Sequence, residues 1–134
     1  MMFKAIGLAA VAAAAFAAPA FAHHSFAMFD PAKTISLHGT VKEFEWTNPH
    51  AWIRIMVVDQ ATGKELQYAL EMGSVRRSMI DGWKNDTVRP GDVVTVTMHP
   101  LKDGSRGGMY LSAVLPDGHQ MGRTGPAVGL PTPP

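Results

Sequence analysis

Two histidines stand side by side at positions 23 and 24, directly after Ala22, and the segment before them decides what chemistry they can do. Met1-Met2-Phe3-Lys4 makes a basic start, and Ala5 to Ala22 carries no charge. Ala20 and Ala22 form the Ala-x-Ala pattern that signal peptidase reads, just after the helix-breaking Pro19. Residues 1–22 are therefore expected to be a cleaved Sec-type signal peptide, with cleavage between Ala22 and His23 and delivery to the periplasm or beyond. Cutting there gives His23 an α-amine beside its own imidazole, with a second imidazole one residue on. Nitrogen donors of this kind suit copper(II). Two modes are open. The amine, the His24 amide nitrogen and the His24 imidazole chelate together, or the amine and His23 imidazole brace a metal completed by a distant histidine, for which His50 is favoured. The competing reading is a solvated terminus that tolerates any polar residue.

Trp46, Asn48, His50 and Trp52 form the densest unusual cluster, in the run Trp46-Thr47-Asn48-Pro49-His50-Ala51-Trp52. Aromatic faces there suit stacking on a glycan or planar small molecule; equally, both tryptophans suit packing, with Asn48 closing a turn. His38 and His99 fall on outward strand phases and form either an exterior pair or two unrelated solvated residues. Met72, Met79, Met98 and Met109 lie on apolar phases and are read as core. Arg76-Arg77 and the pair Glu43 and Glu45 read as solvated faces. No Gly-x-Ser-x-Gly, phosphate-cradling glycine loop or cysteine nucleophile is present, so no catalytic residue is assigned and the chain is read as a non-enzyme.

Composition narrows the partners. Removing residues 1–22 leaves 112 residues and, with Lys4 gone, 11 basic side chains against 11 acidic ones. That neutrality argues against nucleic acid and leaves a small ligand or an envelope protein as partner. Zero cysteine excludes disulfides and thiol chemistry, so packing must hold the fold. No membrane insertion is expected after processing. Oligomeric state has no signature here.

The elements that position these residues follow from periodicity. Residues 23–33 read as an N-terminal arm of about eleven residues, able to span roughly 36 Å if extended. From Ile35, Leu37 and Val41 to Phe44 and Trp46, the period of two slips near Lys42-Glu43, which a β-bulge explains. Trp52 to Val58 and Glu65 to Met72 make the next two strands, joined through Asp59 to Lys64. Ser74 caps a helix expected to carry Val75, Met79, Ile80 and Trp83 on its apolar face, with Trp83 and Met79 plugging the barrel bottom. Arg89-Pro90-Gly91-Asp92 turns into a fourth strand with Val94, Val96 and Met98 inward. Met109, Leu111, Ala113 and Leu115 mark the fifth. The fold class is mainly β, a small five-stranded OB-like barrel over residues 34–118 with one short helix between strands 3 and 4. Residues 119–134, rich in proline and glycine, are read as a disordered tail.

The run His23-His24-Ser25-Phe26, Gly39-Thr40-Val41, Glu45 to Trp52, Gly73-Ser74, Pro90-Gly91-Asp92 and Leu115-Pro116-Asp117-Gly118 resemble a family of small exported bacterial proteins of unknown function. The resemblance implies an exported single domain starting at a double histidine and assigns no activity. A weaker, architectural similarity is to periplasmic barrels of this strand order, including a copper(I) metallochaperone. Its methionine ligands are missing here, because Pro49 and Ala51 stand where methionines belong. The residues thus point to a periplasmic binding module, with copper at His23, His24 and His50, or with a ligand at Trp46, Asn48 and Trp52.

Overall fold

A computed structural model describes residues 26–122, and the chain in that span winds into a closed barrel. A 3-10 turn at Phe26–Met28 precedes strands β1 (Ile35–Glu45), β2 (Trp52–Val58) and β3 (Glu65–Glu71). Helix α1 (Val75–Ile80) follows, then β4 (Val93–Pro100), β5 (Gly107–Val114) and the short β6 (Gln120–Gly122). The hydrogen-bonded order is β3-β2-β1-β4-β5-β6, and a further β3–β5 pairing closes the circle. Long β1 serves both halves: it pairs with β4 through its first residues and with β2 through its last. The period slip has the expected cause, a register shift between Val41 and Glu43. That bulge bends β1 from one half of the barrel to the other.

Glycine sits where backbones crowd. A Cβ on Gly39 would strike the Met56 carbonyl oxygen, and one on Gly108 the His99 carbonyl oxygen. Gly108 belongs to the β3–β5 closure, where the strands run parallel with Ala69 opposite Gly107, Leu70 opposite Gly108 and Glu71 opposite Met109. The barrel interior is filled by alternating residues of the strands, with Val41, Ile53, Ile55, Leu70, Val94, Val96 and Met98 buried. Inward Val94, Val96 and Met98 keep the phase their alternation predicts.

Three expectations about the helix and the fifth strand need correction. The helix does not carry its apolar face inward: Met79 and Ile80 are 61% and 67% exposed, and buried Ser78 faces the barrel instead. α1 spans only six residues, so Trp83 lies beyond it. Gly82, with φ of 92°, turns the chain back so that Trp83 N–H reaches the Ser78 carbonyl at 3.0 Å and the ring enters the core at 1% exposure. Trp83 is thus buried as expected, but without Met79. On β5 the inward phase is not continuous. Thr97 faces Ser112 while Met98 faces Tyr110, so Leu111 is an extra residue. This bulge puts Tyr110 with Ala113 on the core side and moves Met109 to the outer side, opposite Glu71.

The arm and the tail also differ from expectation. Part of the arm is fixed: Asp30 N–H donates to the Pro100 carbonyl at 2.8 Å, Lys102 N–H to that of Met28 at 3.0 Å, and Phe29 bridges to Leu101 and is buried. Past Leu115, the Pro116-Asp117-Gly118 turn returns the chain, and β6 pairs with β5 so that Met121 enters the core. The ordered barrel therefore runs to Gly122, four residues past its expected end. The expected signal peptide, His23, His24 and the rest of the tail lie outside the described residues.

Candidate functional site

On the outside of the barrel, at the β3–β5 seam, lies a half-open cavity of about 400 Å³. Four pieces of chain build it. The end of β3 and the residue after it supply Glu71 and Met72, β5 supplies Met109 to Leu111, α1 supplies Arg77, and the docked N-terminal segment supplies Phe26 and Phe29. His50, from the loop between β1 and β2, completes the wall. The walls are chiefly apolar, and the charged groups at the rim are paired. Arg77 donates to Asp81 at 3.1 Å along the helix. His50 Nδ1 lies 3.0 Å from the Met72 carbonyl oxygen and 3.5 Å from Glu71 Oε1.

Local sequence explains how these residues are held. Ala51 and Met72 exchange backbone hydrogen bonds with the opposing chain, Ala51 N–H to the Gly73 carbonyl and Met72 N–H to that of Ala51, both at 2.9 Å. This clamps the His50 loop beside the end of β3. Asn48 contributes from the same loop: its Oδ1 accepts from Val75 N–H at 3.0 Å, while Ser74 Oγ accepts from Arg77 N–H at 3.2 Å. Two side-chain oxygens thus satisfy donors in the first turn of α1. The Asn48–Pro49 peptide in this loop is cis.

The sequence-derived candidates separate. Trp46 packs inward, its ring 5.7 Å from Phe44, which in turn stacks 5.5 Å from Trp83. Trp52 sits on the opposite face of the sheet, across from Glu45 and Glu71, with the Arg54 guanidinium 5.8 Å from its ring centre. The two tryptophans do not share a surface, and Asn48 is engaged with the helix. Of that loop, His50 alone lines the cavity. His38 and His99 do not pair: His38 meets the Thr95 hydroxyl at 3.0 Å, and His99 meets the Lys33 carbonyl at 2.7 Å. Their registers, four residues apart on the β1–β4 ladder, keep them separate. Glu43 and Glu45 both reach Arg54. Met72 and Met98 are buried as read.

Sequence reasoning missed Glu71, Phe26 and Phe29 as cavity residues. Glu71 occupies an outward strand phase, like Glu65 and Gln67, yet it is 7% exposed, opposite Met109 at the β3–β5 seam and in a cavity wall shared with Phe26, Phe29 and Arg77. The hint available was its position at the strand end, immediately before Met72-Gly73-Ser74. Among the described residues no three histidine, aspartate or glutamate side chains gather as a metal site.

The class of protein these features define is a small closed barrel of the OB type with an N-terminal segment fastened over one seam. The chain belongs to DUF6152, a family of unknown function, whose sequence pattern matches residues 10–111. No curated protein matches it. Among solved structures it is similar to the mitochondrial single-stranded DNA-binding protein of S. cerevisiae, Rim1, at 15% identity and a TM-score of 0.48, covering 62% of this chain and 92% of that one.

Proposed function

We propose that the chain is an exported, non-enzymatic binding module of the periplasm whose processed N-terminus holds copper(II) together with His50. The observation that supports this reading most is the position of Phe26 in the wall of the cavity that also contains His50. With residues 26–30 fastened to the end of β4, the whole arm no longer spans roughly 36 Å. Only His23, His24 and Ser25 separate a cut at Ala22 from Phe26, a span of about 10 Å at full extension. A terminal amine and two imidazoles on so short a tether suit closure onto a nearby imidazole, and nitrogen donors suit copper(II). A neutral processed chain also fits a small ligand better than a polyanion.

Copper(II) titrated into protein beginning at His23, and into the same protein with one extra N-terminal residue, tests the reading. Weaker binding by the extended form is expected, because the extra residue moves the amine away from the first imidazole. Equal affinity sinks the terminal site.

A second reading is favoured by the cavity volume, which lies in the range of small-molecule pockets. In it the module captures a small molecule, a glycan or an envelope protein. Stacking on Trp46 and Trp52 with Asn48 nearby has less support, because the two tryptophans face opposite ways and neither lines the cavity; Trp52 alone remains on the outer surface. The cavity reading predicts that Phe26→Ala, in the cavity wall, weakens ligand capture, whereas Trp52→Ala, outside it, leaves capture unchanged.

A further inference from the structure

Glu71 is the charged side chain that is buried among the described residues, and it stands in the wall of the half-open cavity. His50 meets it only loosely. Its Nδ1 lies 3.5 Å from Glu71 Oε1 but 3.0 Å from the Met72 carbonyl oxygen, and the one hydrogen on that nitrogen goes to the nearer acceptor. Burying a carboxylate is costly unless donors lie beside it, so this position favours a ligand that brings them. The other two ionised groups of the lining, Arg77 and Asp81, cancel one another across 3.1 Å. With histidine counted as neutral, the lining is left with the single negative charge of Glu71. An anionic ligand would gain only Arg77, half exposed and already paired, and would be repelled by the buried carboxylate. The remaining walls are apolar: Phe29, Met72, Met109 and Leu111 present hydrocarbon and sulfur, and Phe26 adds an uncovered ring. Aromatic faces attract organic cations as well as apolar bodies.

We propose that the cavity takes an organic cation, a molecule with an apolar body and one protonated amine, whose ammonium donates to the Glu71 carboxylate while the body lies against Phe29, Met109 and Leu111. This deepens the small-molecule reading above and rests on it. An ammonium has three donors and no acceptor, which is what a buried carboxylate lacks beside it. The cavity volume, about 400 Å³, suits a single small molecule.

Three indole probes of nearly equal size separate charge from shape: tryptamine carries an ammonium, tryptophol a neutral hydroxyl and indole-3-propionate a carboxylate. In calorimetric titration of the protein beginning at His23, tryptamine is expected to bind at least about tenfold more tightly than tryptophol, with indole-3-propionate the weakest, because hydrogen bonds to charged groups outweigh neutral ones. Equal affinity for all three overturns the proposal and leaves the small-molecule reading standing. No saturable binding of any probe at millimolar concentration overturns both. Amide NMR locates the site: shifts are expected at Phe29, Glu71, Met109 and Leu111, and shifts confined to the face of Trp52 and Arg54 overturn the assignment. Glu71→Gln keeps the side-chain length but removes the charge, and is expected to bring the tryptamine preference over tryptophol down to about one. A preference that persists overturns the proposal. Asp103→Asn, on an exposed loop outside the cavity, is expected to leave the preference intact; its loss there would mean that overall charge selects the cation, and overturns the proposal too. Where Glu71→Gln fails to fold, the three-probe comparison and the shift map of the unsubstituted protein decide.

Discussion

Trp83 donates its indole N–H to the Tyr110 hydroxyl at 3.2 Å, and that hydroxyl donates to the Met121 carbonyl at 3.2 Å. The two rings meet edge to face, their centres 5.6 Å apart. Three separate parts of the chain, the turn after α1, β5 and β6, are joined by one phenol. Burial above all, with a smaller contribution from the Asp81 charge and against the Trp83 hydrogen bond, pushes the Tyr110 hydroxyl above its ordinary pKa of 10.0.

The sign of the pH effect follows. A raised folded-state pKa means that folding favours the neutral phenol, so the associated stability is complete below the unfolded-state value of about 10 and is lost as pH rises beyond it. Melting temperature is expected to fall above about pH 10, and Tyr110→Phe to lessen that alkaline fall. The same substitution leaves the Trp83 donor and the Met121 carbonyl unpaired, costing about 1–3 kcal/mol near neutrality. Thermal melts of both proteins from roughly pH 8 to 11 check this; parallel curves would refute the linkage.

Barrel closure makes a second, independent demand. Gly39 and Gly108 face carbonyl oxygens of neighbouring strands, and backbone cannot move aside as a flexible side chain can. Gly39→Ala and Gly108→Ala are each expected to cost about 1–3 kcal/mol, measured as a lower urea midpoint. Gly63 and Gly104, in open turns, serve as controls for conformational cost alone, since nothing lies within 4 Å of an added Cβ there.

Asn48 connects the loop bearing His50 to α1 by accepting from Val75 N–H. Asn48→Ala removes a partner equivalent to a helix cap and is expected to destabilise by about 0.5–2 kcal/mol. Hydrogen exchange checks where that loss falls: faster exchange at Val75 and Arg77 is expected, with Ile53 and Val96 in the core little affected. Uniform acceleration across the barrel would assign Asn48 a different role.

The strands were legible because alternation and turn chemistry agree in β2, β3 and β4, and because the period slip in β1 has one common physical cause. What stayed hidden depends on long-range pairing. The extra residue at Leu111 reverses the phase of β5, and only the β4 partner reveals it. α1 is too short for a helical wheel to reach Trp83, so the apolar spacing from Val75 to Trp83 misassigned Met79 and Ile80. At the site, His50 was legible from its loop, whereas the residues that share the seam and cavity wall with Glu71, namely Met109, Phe26 and Phe29, are distant from it in sequence. No local pattern encodes that neighbourhood.

The separation of Trp46 from Trp52 gives the last prediction. Trp46 follows β1 onto the core side, where it touches Phe44 and through it the Phe44–Trp83 stack. Trp46→Ala leaves a partly filled void there and is expected to cost about 2–4 kcal/mol, toward the lower end of large aromatic truncations because the ring is only half buried. Trp52 projects outward beside Arg54, whose charge is already engaged by Glu43 and Glu45. Trp52→Ala therefore removes one exposed-face contact and is expected to cost under about 1 kcal/mol. Chemical denaturation of both variants measures the contrast. Comparable losses would mean that the two rings support one structure, and a shared ligand platform would again become the simpler account of the loop.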